Sequence, residues 1–144
     1  MPDNIFVNGD GLKRSLDSKT GKANAPIGTG TLRLFTAPMT VNQGRVIGDF
    51  TEATFTGYAG VALTGATWPS ATLTGPVATS TYGANVTFTR TSSGAPQLIY
   101  GWFLTDAAKT LLYACALFAS GPFAMVNAGD SITVVPTLTD QSLN

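Results

Sequence analysis

Histidine is absent from the 144 residues, and cysteine occurs once, at Cys115. The first absence closes the Ser-His-Asp and Cys-His catalytic arrangements and every histidine metal site. The second closes an internal disulfide, so folding does not depend on an oxidising compartment. Charge is scarce too. Across residues 50–144 only Glu52, Arg90, Asp106, Lys109, Asp130 and Asp140 are charged, and Glu52 is the only glutamate. So few acids and bases argue against the paired carboxylates of glycosidase chemistry and for a non-catalytic protein without cofactor or metal. Eight basic residues balance eight acidic ones, which is not the basic face of a nucleic-acid binder. The longest apolar run, 111–126, is broken by Ser120, Gly121 and Pro122, and a membrane-spanning helix needs about 20 residues. Residues 1–10 lack a basic-then-apolar leader, so the expectation is a soluble chain made in the cytoplasm.

What is present is threonine, 22 of them, with valine, phenylalanine and tyrosine, in runs punctuated by glycine, proline, asparagine and aspartate. The length suits one domain. Its pattern is all-β: strands are expected at 31–36, 57–63, 71–74, 77–81, 84–91, 97–105, 110–118 and 131–139, with a short one at 123–126. So many short strands without a long amphipathic helix imply a β-sandwich, jelly roll or barrel. Val86 and Phe88 alternate with Thr87 and Thr89, and Ile132 and Val134 with Ser131 and Thr133, as in sheets with one wet face. Pro136 marks an edge or a bulge. Asp49, with Glu52 three residues on, predicts one capped helical turn.

Residues 1–30 differ. Seven charges fall within the first 22 residues, among glycines and few apolar side chains. That composition predicts an extended N-terminal arm with a turn at Asp17-Ser18-Lys19-Thr20-Gly21, ahead of a β domain over 31–144. Phe6, Leu12 and Leu16 are its candidate anchors on a partner. Lys13, Arg14, Lys19 and Lys22 read as a solvated cluster or a contact for an acidic protein surface.

Residues 97–118 form a hairpin that is apolar on both faces. Leu98, Tyr100, Trp102 and Leu104 share one side of the outgoing strand, and Ile99, Gly101 and Phe103 share the other. Leu112, Ala114, Ala116 and Phe118 then alternate with Leu111, Tyr113, Cys115 and Leu117 on the return. One face meets the core. The other is expected to pack on copies of itself in a homo-oligomer, with Ile99, Phe103, Leu112 and Phe118 at the interface; a helix or the arm folded over it is the rival explanation.

No motif carries chemistry. Cys115 sits in an apolar alternation and reads as a small core residue. Asp49, Asp106 and Asp130 sit at turns. Glycine-rich segments lack the lysine of a phosphate loop. Trp68, before Pro69 in a loop, could stack on a sugar with Tyr58 or Tyr82, which makes a carbohydrate-binding module the alternative.

Leu32-Arg33-Leu34-Phe35, Phe50-Thr51-Glu52-Ala53-Thr54-Phe55-Thr56-Gly57-Tyr58, Val86-Thr87-Phe88-Thr89, Ile99-Tyr100-Gly101-Trp102-Phe103-Leu104-Thr105-Asp106 and Gly129-Asp130-Ser131-Ile132-Thr133-Val134 follow in an order that resembles small virion proteins of tailed bacteriophages, especially head decoration (cement) proteins. The resemblance covers about three quarters of the chain, 31–139, and leaves the arm unmatched. It implies a jelly-roll-like domain, a homotrimer on junctions of the major capsid protein at the virion head surface, and no catalysis. A tail- or fibre-associated protein that binds host glycan is the runner-up it leaves open.

Overall fold

The computed structural model describes residues 5–21 and 26–141. Antiparallel strands dominate. In chain order they are β1 (Ile5–Val7), β2 (Thr31–Phe35), β3 (Val61–Ala62), β4 (Thr72–Thr74), β5 (Val77–Thr81), β6 (Val86–Thr89), β7 (Gln97–Ile99), β8 (Gly101–Thr105), β9 (Leu112–Leu117), β10 (Phe123–Met125), β11 (Ser131–Val134) and β12 (Thr137–Gln141). One α-helix, α1 (Gly9–Lys19), follows β1. A central sheet has the order β1-β9-β8-β2-β3, and smaller sheets pair β7 with β10, β6 with β11, and β5 with both β4 and β12.

Side-chain alternation sorts the central sheet into two faces. Leu32 and Leu34 lie opposite Leu104 and Trp102, which lie opposite Ala114 and Ala116. This side packs with Val86 and Phe88 of β6, Met125 of β10, and Ile132 and Val134 of β11 in the main core. The other side carries Phe35, Phe103, Leu112 and Cys115, and residues 36–50 cross it with Val41 and Phe50. Phe50 stacks on Phe103 with centroids 4.7 Å apart and meets Phe35 edge-on at 5.2 Å. Thus the second face of the apolar hairpin is covered by its own chain. Ile99 and Phe103 are fully buried and Leu112 is nearly so, which corrects their assignment to an oligomer interface. Phe118 is half-buried against Phe123. The sequence signal missed the cover because residues 36–50 have no periodicity, only isolated apolar anchors.

The extended arm is also corrected. β1 pairs with β9, Phe6 opposite Cys115, and so occupies an edge whose backbone groups would otherwise lack partners. α1 then lies along β9. A Cβ on Gly11 would stand 2.3 Å from the Tyr113 carbonyl oxygen, so glycine permits the approach. The Asn8 amide, itself buried, donates to the carbonyls of Asn42, Gln43 and Arg45 at 3.0, 3.2 and 3.2 Å. That clamps the covering segment to the first strand. The expected turn at 17–21 is instead the end of the helix, with the Thr20 N–H on the Leu16 carbonyl at 3.0 Å and Gly21 at φ 77°.

Three further expectations shift. The strand over 97–105 breaks at Tyr100, where the chain leaves the β7–β10 pair and joins the central sheet. Gly101 is required there, because a Cβ would lie 2.0 Å from the Ala116 oxygen and 2.8 Å from the Phe35 ring. The strand over 131–139 breaks at Val135-Pro136, since proline has no N–H to give a ladder. The helical turn placed at Asp49 is a 3-10 turn that ends there (Ile47–Asp49), and the Asp49 carboxylate accepts the Val46 N–H at 3.0 Å.

Candidate functional site

The scarce charges converge on the scaffold. Arg33 of β2 donates from Nη1 to Glu52 Oε1 at 2.9 Å, the Tyr58 hydroxyl donates to the same oxygen at 2.9 Å, and Lys109 Nζ bonds Glu52 Oε2. Burial alone would raise the Glu52 carboxyl; the bonds from Lys109, Arg33 and Tyr58 outweigh it and hold the group below its ordinary range. Burial, with the Glu52 charge adding to it, pushes the Tyr58 phenol up. The cluster joins the β8–β9 turn, β2 and residues 52–58, so it is a strut between elements.

The remaining charges fasten loops. Arg90 is 5% exposed, and its guanidinium donates to the carbonyls of Ser92, Ala95 and Met125. Asp106 accepts the N–H groups of Thr110 and Leu111, each at 2.7 Å, closing the turn in which Lys109 stands at φ 58°. Slight burial opposes ionisation of Asp106; the bonds from Thr110 and Leu111 outweigh it and lower its pKa. Asp130 accepts from Asn127 and Val126, which lowers it likewise. Gln97 Oε1 accepts from both Thr54 and Phe55 N–H. Sequence reasoning placed Asp106 and Asp130 at turns, but gave no role to Asn8, Arg90 or Gln97, whose partners are remote in the chain.

The aromatic residues considered for sugar stacking face inward. Trp68 Nε1 donates to the Gly28 carbonyl at 2.7 Å while its ring meets Tyr82 edge-on at 5.2 Å. Tyr82 is buried and Tyr58 is held by Glu52. The carbohydrate alternative therefore loses its platform. Cys115 is fully buried, burial pushes its thiol up to about 11, and its S–H donates to Asn8 Oδ1.

Of the expected contact residues, Phe6 lies in β1 along β9, and five others lie on α1. Leu12 and Leu16 of α1 are 44% and 61% exposed, and Lys13 pairs with Asp17 at 2.9 Å. Arg14 and Lys19 lie on the same helix, and Lys22 lies outside the described residues. Beside α1 is a groove of about 260 Å³, where Val7, Leu12 and Ile27 face Ala78 and Leu138 of the β4–β5–β12 sheet, with Ser80 and Asp140 among its lining. The opposite face of that sheet carries Thr72, Thr74, Thr79, Thr81, Thr137 and Thr139. Across β6 and β11, Thr87 and Thr133 share a hydroxyl hydrogen bond at 3.0 Å, next to exposed Thr89 and Ser131.

Among the described residues, no three histidine, cysteine, aspartate or glutamate side chains come together as a metal-binding group, and no helix is long and apolar enough to cross a membrane. Compared with known proteins, the chain matches no family model, no curated protein and no solved structure.

Proposed function

We propose that this chain is a structural virion protein of a tailed bacteriophage: a decoration, or cement, protein that sits on the head as a homo-oligomer and ties neighbouring capsid-protein subunits together. A jelly-roll-like β-sandwich goes with this reading, the five-stranded sheet forming one layer and the small sheets the other. The observation that carries it is the distribution of charge. Glu52, Arg90, Asp106 and Asp130 are bonded within the protein. The outer faces of β4–β5–β12 and β6–β11 carry threonine and serine beside Val77, with no ionised side chain on them among the described residues; the one charge of these strands, Asp140, lies on the opposite face of β12. Such a surface can be covered by another protein without stripping water from a charge, the costly part of burying polar surface. Interface cores are depleted of charged residues for the same reason. Leu12 and Leu16 on α1, flanked by Lys13, Arg14 and Lys19, supply a mixed apolar and basic contact for the capsid protein.

Electron cryo-microscopy of particles purified from the producing host tests this. The expected result is density for the chain on the outer head surface, at junctions between capsid subunits. Heads that carry no copies overturn the proposal. A binding measurement adds the residue level: Leu16→Glu should weaken attachment to stripped heads about tenfold, in line with loss of one buried leucine.

A further inference from the structure

We infer that two copies of this chain join edge to edge through β4, making one continuous six-stranded sheet, β12-β5-β4-β4-β5-β12, about a two-fold axis at Leu73. This deepens the self-association in the proposed function and rests on that part of it alone. It names a surface, and a symmetry different from the three-fold that the resemblance implies.

The backbone supplies the first reason. β4 pairs only with β5 among the described strands, and the two are joined by the two-residue turn Gly75-Pro76, with Gly75 at φ 59°. In such a hairpin the residues flanking the turn, Thr74 and Val77, exchange both ladder hydrogen bonds, and pairs alternate from there. Thr72 therefore directs its backbone toward Thr79, while Leu73 directs its N–H and C=O groups to the open side. Monomeric proteins guard such edges by keeping them very short, or with charge, proline or a bulge. β4 is three residues long, yet residues 71–75, Ala-Thr-Leu-Thr-Gly, carry no charge and no proline, and Leu73 is 74% exposed.

The sequence supplies the occupant. Thr72-Leu73-Thr74 reads the same in both directions, so an antiparallel copy sets Leu73 opposite Leu73 and Thr72 opposite Thr74. A self-pairing doubles any charge it contains, and this one contains none. Cross-strand threonine pairs already recur inside the protein, at Thr81–Thr137 and Thr87–Thr133, each 3.0 Å between hydroxyl oxygens. Leu73 lies on the same sheet face as Ala78, Ser80, Leu138 and Asp140, which line the groove beside α1, so pairing brings the second copy's Leu73 onto the Leu73–Ala78 part of that face, two strands away from Asp140.

Sedimentation of the full chain over a range of concentrations reads the outcome. The intact protein should form dimers. Leu73→Pro removes only the outward N–H and keeps the β4–β5 ladder; it should weaken dimerisation at least about tenfold with the far-ultraviolet spectrum unchanged. Leu73→Lys, which sets like charges face to face, should do the same by another route. In addition, Thr72→Cys and Thr74→Cys proteins mixed and mildly oxidised should give a covalent heterodimer, because that non-hydrogen-bonded pair has Cα atoms about 4.5 Å apart, within disulfide range. A monomer at all concentrations overturns the pairing. So does an oligomer that neither leucine variant weakens and the cysteine pair does not cross-link, and that result leaves self-association through another surface intact.

Discussion

Three donors meet on Glu52: Lys109 from a hairpin turn, Arg33 from β2, and the Tyr58 hydroxyl. Its folded pKa lies below the ordinary 4.5. The unfolded chain therefore takes up the proton first as pH falls. The stabilisation from this carboxylate is complete above pH 4.5 and is lost as pH drops through the lower folded value. Glu52→Gln should cost about 1–3 kcal/mol at neutral pH, the scale of hydrogen bonds to a charged group. Thermal melts of both proteins from neutral pH downward check this. The gap between them should close in acid, and a gap of constant size would assign the loss to packing instead. Asp106 and Asp130 have the same sign and are present in both proteins, so they cancel in the comparison.

At the scale of elements, residues 36–50 act as a cover, and Phe50 is the part that seats it. Phe50→Ala should destabilise by about 3–5 kcal/mol, as large aromatic truncations do, and should raise binding of a hydrophobic dye as the Phe35–Phe103 face opens. Calorimetry together with dye fluorescence would reveal a neutral substitution if the cover were incidental. Gly101→Ala tests the junction between β7 and β8. Its Cβ would press on the backbone oxygen of Ala116, so a loss of about 1–3 kcal/mol is expected in chemical denaturation, with no gain from reduced backbone freedom. Strands such as Val77–Thr81 and Val86–Thr89 were legible because alternation and turn residues act locally. β1 and α1 were not. Their glycines and charges describe a segment that would be mobile alone, and what orders it is an edge of β9 more than a hundred residues away in the chain. The same limit hid the site: a hairpin apolar on both faces was visible, but whether a sibling or its own chain covers it depends on where Val41 and Phe50 come to rest.

For the molecule as a whole, β1 and α1 are structural parts, not appendages. Removing residues 1–21 should lower the melting temperature and let the Cys115 thiol react with a thiol reagent without denaturant. In the intact chain, burial and a thiol pKa near 11 keep it silent. An unchanged melt with a silent thiol would show that the remaining scaffold closes by itself. The pairing of β1 with β9 also has a consequence in time. A ribosome releases Ile5 long before Ala116, so the central sheet stays unfinished until most of the polypeptide has been synthesised. Nascent chains must carry a bare sheet margin through that interval, and crowding on a polysome is where this protein is most at risk of joining the wrong neighbour.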